Sequence, residues 1–154
     1  MERIKKIVED TFQKMGFNNV EIDVKKDNSL KDRELLIINV ELNPKQADYF
    51  LKENVIGLNA VQHLLRVLIF KKSPEHPFFV LDINNYKKKR EKHLSELADK
   101  TVQTVRRTKK PVILEPMPAY ERRLIHLKLA EQPDIITESI GEEPERRVVI
   151  RLYP

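Results

Sequence analysis

The sequence predicts an α+β protein built from two small domains. The spacing of apolar residues changes repeatedly between the 3.6-residue period of a helix and the two-residue period of a strand. Elements of both kinds form two groups, which meet at the short polar junction Asn84-Asn85. A length of 154 residues is enough for two compact units of about 70 to 85 residues each. We therefore expect one domain over residues 1–84 and a second over residues 85–154.

The first domain is predicted to contain a helix, two strands, a long helical region and a third strand. Apolar residues at helical spacing before Gly16 define the first helix. The next segment alternates apolar and charged residues, as in a half-buried strand, and a turn is expected at Asp27-Asn28-Ser29. In chain order the five elements cover residues 2–15, 20–25, 33–42, 45–72 and 78–83.

The helical region over residues 45–72 is predicted to consist of two pieces. Its second half carries apolar residues on more than one face, so we expect it to be largely buried. A break is predicted near Asn54 to Gly57, with Asn59 capping the second piece.

The second domain is predicted to contain two helices and three strands. Its first helix is long, with an apolar stripe from Leu94 to Val105 and basic residues at both ends. Pro116 and Pro118 frame the turn before the second helix, which Pro133 ends. In chain order the elements cover residues 86–108, 112–114, 119–131, 135–140 and 147–153.

The composition excludes several classes of function. The chain has no Cys, which rules out disulfides and thiolate metal sites, and its 3 Gly form no glycine-rich phosphate loop. The four His stand far apart, so we expect no metal, no cofactor and no catalytic centre. No apolar run approaches the roughly 20 residues of a membrane span. We therefore expect a cytoplasmic protein without membrane insertion.

The positive charge is concentrated in one segment. Residues 1–86 carry 13 Lys and Arg against 13 Asp and Glu, whereas residues 87–110 carry 10 against 3. Residues 111–154 carry 6 against 8, so the net charge of +5 comes from the middle segment alone. An excess placed in this way indicates a polyanionic partner.

The most specific local pattern is Arg-x-x-x-His at Arg122 and His126. On a helix these two residues share a face, and a guanidinium one turn from an imidazole can donate to a phosphate oxygen. The alternative is structural: His126 would cover a polar edge of the core, and Arg122 would pair with Glu121, Glu115 or Glu145.

The surroundings of this pattern resemble a known domain. Pro118-Ala119-Tyr120-Glu121-Arg122-Arg123-Leu124-Ile125-His126 resembles the core motif of R3H domains, which are named for Arg-x-x-x-His. Residues 139–150 resemble the end of the same domain, and residues 86–105 resemble the first R3H helix of the bacterial Jag family. That family joins a type II KH domain to an R3H domain, and the element order over residues 1–84 is consistent with the former. Jag proteins usually begin with a further small domain and a linker, and we expect neither here.

The KH-like domain departs from the pattern of its family. A KH domain holds the nucleotide backbone with a G-x-x-G loop. Residues 59–65 resemble the helix after that loop, which aligns the loop with Lys52-Glu53-Asn54-Val55. Both glycines are missing and Glu53 adds a negative charge, so we expect a degenerate loop that contributes little to nucleic-acid binding. The domain is then a scaffold or a docking surface for a protein partner.

The resemblance implies a non-enzymatic protein that binds single-stranded nucleic acid, RNA rather than DNA, mainly through the R3H domain. The alternative is a protein-interaction adaptor or scaffold that has lost nucleic-acid binding. Arg122 and His126 are expected to form the phosphate-binding face, and Tyr120 is the best candidate for base stacking. The other expected nucleic-acid-binding residues are basic: Arg123, Arg146, Arg147, Lys87, Lys88, Lys89, Arg90, Arg106, Arg107, Lys109 and Lys110.

Overall fold

A computed structural model of the chain contains two compact units, Met1–Tyr86 and Lys87–Pro154. The structure describes residues 1–28 and 34–154, so Ser29 of the predicted turn and Arg33 of the predicted second strand lie outside the described residues. Each unit combines helices with a three-stranded sheet, which confirms the expected α+β class.

The first unit contains α1 (Glu2–Lys14), β1 (Glu21–Asp27), β2 (Leu35–Glu41), α2 (Pro44–Lys72) and β3 (Phe78–Ile83). Its sheet has the order β1-β2-β3. The first two strands pair antiparallel, and β2 pairs parallel with β3. Because parallel neighbours need a long crossover connection, α2 is the element that makes this topology possible. The core of this unit is formed by apolar residues of α1, the sheet and one face of α2, among them Val8, Phe12, Ile38, Leu65, Ile69 and Leu81.

A complete capping box begins α2. The Asn43 side chain accepts a hydrogen bond from the backbone N–H of Gln46 at 2.9 Å, and the Gln46 side chain accepts one from the backbone N–H of Asn43. Pro44 occupies the start of the helix, where its missing N–H costs nothing. The helix start expected after Asn43 is therefore confirmed.

The break inside α2 lies at Lys52–Val55, slightly earlier than the predicted position. Glu53, Asn54 and Val55 follow one another in the left-handed region, with φ values of 52°, 57° and 57°. That conformation is unfavourable for a β-branched residue such as Val55. The helix resumes directly after Val55, so the prediction that Asn59 caps the second piece is wrong: Asn59 lies within the helix.

Gly57 allows the helical segment after the break to pack directly against the backbone of the segment before it. A Cβ atom on Gly57 would lie 2.4 Å from the carbonyl oxygen of Tyr49 and 2.8 Å from the Cα of Phe50. Both atoms belong to the backbone of the preceding helical segment, so no side-chain rotation could relieve the overlap. A residue without a side chain is therefore required where the two segments of α2 meet.

The expectation that the second half of α2 is largely buried is wrong. Val61, Leu65 and Ile69 are buried, but Ile56 and Phe70 are each 62% exposed. The prediction of apolar residues on more than one face was correct. The core of the first unit covers only one of those faces, which leaves the opposite one in solvent.

The second unit contains α3 (Tyr86–Thr108), β4 (Val112–Ile113), α4 (Ala119–Leu129), β5 (Ile135–Ile140) and β6 (Arg147–Leu152). All five elements were predicted, with ends that differ by two residues at most. In the sheet, β6 lies between β4 and β5 and runs antiparallel to both. Within the described part of the chain, no helix has the length and apolar character to cross a membrane.

One face of this sheet is covered by α3 and α4. Val148 and Ile150 of β6 are fully buried in a cluster with apolar residues of α3 and α4. Thr137 and Ser139 of β5 pair with Ile150 and Val148 and therefore lie on the same, helix-covered face. This register brings two hydroxyl groups beside α4 at the edge of the core.

We predict that Gly57→Ala destabilises the first unit by about 1–3 kcal/mol, the usual cost of forcing extra atoms into a packed site. Thermal unfolding followed by circular dichroism measures the effect. Asn59→Ala, an exposed position two residues along the same helix, is the matched control and should change the melting temperature little. A melting temperature for Gly57→Ala equal to that of the parent would contradict the close approach described above.

Candidate nucleic-acid interface

Arg122 lies at the start of α4 and is almost completely buried, with 8% of its surface exposed. Its Nε donates to the carbonyl oxygen of Met117 at 3.2 Å, and its Nη2 donates to a carboxylate oxygen of Glu143. Glu143 belongs to the turn between β5 and β6 and is itself mostly exposed. The guanidinium therefore ties the start of α4 to two loops. It pairs with none of the three glutamates expected from the sequence.

His126 lies one turn further along α4 and faces β5. Its Nδ1 lies 2.7 Å from the hydroxyl of Thr137, and its Nε2 lies 2.9 Å from the hydroxyl of Ser139. A neutral imidazole has one donor and one acceptor, and each hydroxyl can take either role, so both hydrogen bonds can form together. Neither hydroxyl was among the expected site residues. The sequence of β5 does contain a signal for them. Thr137 and Ser139 are polar residues at strand positions that face the core, where apolar residues are usual.

The environment of His126 favours its neutral form. Burial lowers the pKa of His126 below its usual value, and the neighbouring Arg122 guanidinium lowers it further. The imidazole is then uncharged at neutral pH. The two residues of the Arg-x-x-x-His pattern do lie together, but Nε and Nη2 of Arg122 and both ring nitrogens of His126 are engaged within the protein.

Several other expected site residues also have internal partners. Arg90 forms a two-pronged pair with Glu121, with both distances at 2.9 Å. Arg106 binds the carboxylate of Asp134 in the same way, at 2.8 Å for both oxygens, and also donates to Gln132. These forked contacts fasten α3 to α4 and to the segment before β5. Arg90 and Arg106 thus stabilise the second unit.

The turn between β5 and β6 uses two further arginines. Arg146 donates to the carbonyl oxygen of Gly141 at 2.7 Å, and Arg147 contacts both the backbone and the carboxylate of Glu145. These contacts are exposed, so they leave the outer surface of both guanidinium groups accessible to solvent. The turn carries their charge at its surface.

Tyr120, the expected stacking residue, is 58% exposed at the start of α4. Its hydroxyl donates to Glu91 of α3 at 2.5 Å, and this hydrogen bond is the main reason why the pKa of Tyr120 is raised to about 12. The ring is held at the surface in a fixed orientation. Such a ring can receive a base on its free face.

Exposed cations follow the outward face of α3, and the exposed Glu96 lies among them, four residues from Lys92 and from Lys100. Lys89, Lys92, Lys100 and Arg107 recur at intervals of three, eight and seven residues, which places them along one side of the helix, and all four are exposed. Within the described residues none of the four takes part in an ion pair. We call this set the α3 basic stripe; it extends over about 27 Å. Lys92 and Lys100 were not among the expected site residues, although their helical spacing was available in the sequence.

The remaining expected cations are also at the surface. Lys88, Arg123 and Lys110 are exposed and form no ion pair within the described part of the chain, and Lys109 is exposed close to Asp134. Lys87, at the start of α3, is partly buried. The expected set thus divides into arginines with internal partners, such as Arg90 and Arg106, and cations that face solvent, such as Lys88 and Arg123. A cluster of His, Asp or Glu able to hold a metal ion is absent from residues 1–28 and 34–154.

The four residues aligned with the KH loop are those that leave the helical conformation in α2. Lys52, Glu53 and Asn54 are exposed, and Lys52 pairs with Asp48 at 3.2 Å. The loop therefore presents side chains and a free carboxylate at Glu53, where a glycine loop would present bare backbone.

Comparisons with known proteins agree with the second unit's architecture. The family model "R3H domain" matches residues 92–152. A protein named "RNA-binding protein KhpB" from Clostridium symbiosum is 34% identical over 134 residues, which cover 87% of this chain and 59% of that protein. Proteins of the same name from Lactiplantibacillus plantarum and Bacillus subtilis are 39% and 38% identical over 95 residues each, which cover 62% and 60% of this chain.

Residues 92–152 of the chain form an R3H domain, and the chain is similar to the three KhpB proteins. The resemblance seen at Arg122 and His126 is thereby confirmed. The chain spans 59%, 30% and 46% of the lengths of the three relatives. Its R3H domain coincides with the unit that carries the buried Arg-x-x-x-His network and the α3 basic stripe.

We predict that the second unit loses stability as the pH falls, and that His126 is one cause. Because the pKa of His126 is lowered in the folded state, the unfolded chain binds the proton more readily. Stability is then lost as the pH falls through the ordinary histidine range of about 6.5 and below. Chemical denaturation at several pH values between about 7 and 5 measures the slope.

His126→Asn should make this slope shallower, whereas His93→Asn, an exposed histidine on α3, should leave it unchanged. An unchanged slope in His126→Asn would contradict the assignment of a neutral, partly buried imidazole.

Proposed function

We propose that the chain binds single-stranded RNA without catalysing a reaction, and that the R3H unit supplies most of the contacts. The observation that carries this proposal is the contrast between the paired arginines inside the unit and the unpaired cations of the α3 basic stripe. Unpaired lysines and arginines on one helix face are the feature that attracts a phosphate backbone. The relatives named as RNA-binding proteins favour RNA over DNA.

The proposed interface combines three kinds of contact. The stripe and the exposed Lys88 and Lys110 neutralise phosphates, which fixes affinity but not sequence preference. Tyr120 offers a stacking surface for a base. Secondary contacts come from further cations on α3, on α4, in the segment after α3 and around the β5–β6 turn: Lys87, Arg90, Arg106, Lys109, Arg123, Arg146 and Arg147.

For the first unit we propose a type II KH-like domain whose degenerate loop adds little RNA affinity. Its element order supports the fold, and the exposed carboxylate of Glu53 at the loop supports the weak contribution. We also propose a cytoplasmic location, which a cysteine-free sequence and RNA-binding relatives support.

The salt dependence of RNA binding tests the stripe directly. Each phosphate neutralised on a single strand contributes about −0.7 to the slope of log K against log salt. Replacing Lys89, Lys92 and Lys100 together with Gln should therefore weaken binding at low salt and make the slope shallower by about two. Fluorescence anisotropy with a labelled single-stranded RNA, and with DNA of the same sequence, measures both quantities.

The matched control removes the same charge elsewhere. Lys5, Lys6 and Lys45 are exposed on the first unit, and their triple replacement with Gln changes the net charge equally. The proposal requires that this control keeps the parental slope. An equal loss of RNA affinity in both triple variants would mean that net charge, and not the stripe, sets the affinity. If the parent protein does not bind RNA at all, the proposed function is wrong.

We propose further that Arg122 and His126 reach a phosphate when the Glu143 carboxylate moves aside. Arg122→Ala should then weaken RNA binding, by about 1.5–3 kcal/mol for a lost hydrogen bond to a charged group. Glu143→Gln should tighten binding, because the guanidinium loses its competing carboxylate. Both effects are measured on variants shown to be folded by circular dichroism. If folded Arg122→Ala binds RNA as tightly as the parent protein, Arg122 and His126 have only a structural role.

A further inference from the structure

The sheet of the second unit has a face that points away from α3 and α4. Val148 and Ile150 of β6 face the helices, so the residues that alternate with them face the opposite way. Tyr153 continues this alternation, because its backbone N–H donates to the carbonyl oxygen of Asp134 at 2.8 Å and extends the pairing of β5 with β6. We call the residues on this side the outer sheet face: Ile113, Ile136, Glu138, Ile140, Arg147, Val149, Arg151 and Tyr153.

The outer sheet face has an unusual composition for a surface in solvent. All eight side chains are at least partly exposed, and five of them are aliphatic or aromatic, although the chain as a whole is 34% charged. Ile113 is 57% exposed and Tyr153 is 67% exposed. A sheet with one solvated face normally alternates apolar residues inside with polar residues outside. Exposed apolar side chains grouped on one surface mark a place where a partner binds.

The two arginines of this face are held in place by carboxylates. Arg151 donates to Glu138 on the neighbouring strand at 2.9 Å. Arg147 donates to the backbone carbonyl oxygen of Glu145 at 3.2 Å and to its carboxylate at 3.4 Å. The side chains of Arg147 and Arg151 remain 34% and 33% exposed. Because these contacts use the edge of each guanidinium, its planar surfaces are available for stacking, while the carboxylates offset its charge.

Unpaired RNA bases fit this chemistry. Bases that leave the stack are bound by aromatic rings and guanidinium planes, and one common RNA-binding fold does this on the open face of a sheet. Arg151 and Tyr153 are two residues apart on β6, so their Cα atoms lie about 6.7 Å from each other along the strand. Successive unstacked bases can therefore each reach a separate side chain. The aliphatic side chains of the neighbouring strands add apolar contact to the same bases.

We propose that the outer sheet face is a second RNA surface of the second unit, on which Tyr153 and Arg151 stack successive unpaired bases. This inference rests on the proposed function, because it concerns the same RNA. The two surfaces bind different parts of the strand. The α3 basic stripe binds phosphates, whereas the outer sheet face binds bases.

A single fluorescent reporter tests the stacking, since the chain contains no Trp. In Tyr153→Trp, single-stranded RNA should quench the emission, because a base stacked on the indole quenches it. The same RNA annealed to its complement should leave the emission unchanged, because paired bases remain in their own stack. Tyr49→Trp on the first unit, where the tyrosine is 76% exposed, is the matched control and should keep its emission with either RNA.

Tyr153→Ala tests the contribution to affinity in the full chain. Anisotropy with single-stranded RNA should show binding weakened about fivefold or more, the change that corresponds to about 1 kcal/mol of stacking. The salt slope should keep its parental value, because no charge is removed. Tyr49→Ala should bind like the parent.

The outcomes separate this inference from the proposed function. If the parent binds RNA but Tyr153→Ala binds equally well, or if RNA leaves the emission of Tyr153→Trp unchanged, the outer sheet face is not an RNA surface and the stripe is unaffected. Equal quenching by single-stranded and duplex RNA would likewise overturn base stacking. A parent that binds no RNA would overturn both proposals.

Discussion

The second unit depends on the buried guanidinium of Arg122. Its hydrogen bonds to the Met117 carbonyl and to Glu143 join the start of α4 to the loop before it and to the β5–β6 turn. One turn further on, His126 joins the same helix to two hydroxyls of β5. Because a buried cation needs partners for its donors, this network fixes the position of α4 on the sheet. The exposed cations outside this network are those that we propose to bind RNA.

The periodicity of the sequence was sufficient to predict the helices and strands of the second unit, because α3 and α4 have one apolar face each and the strands alternate. It was not sufficient in α2. Apolar residues on two faces of that helix suggested burial, but periodicity cannot reveal whether a second face is covered by the same domain. Asn59 suggested a cap, yet the left-handed run ending at Val55 lets the helix resume earlier.

The sequence predicts which residues form the candidate site but not what each of them contacts. The Arg-x-x-x-His pattern located the R3H unit, but the sequence could not show that Glu143 approaches Arg122 across 21 residues of chain. Nor could it separate arginines engaged in forked ion pairs, such as Arg90 and Arg106, from free lysines. Long-range pairing decides which charges are available, and only the folded structure reveals it. The chain therefore divides its surfaces between a basic helix in one unit and an apolar helix face in the other.

An NMR titration of the full chain with single-stranded RNA reports where the RNA lies as well as whether it binds. We expect chemical-shift changes along the α3 basic stripe and at Tyr120, with the amides of Lys52–Val55 unaffected. Shift changes centred on Lys52–Val55, with the R3H unit unperturbed, would contradict it.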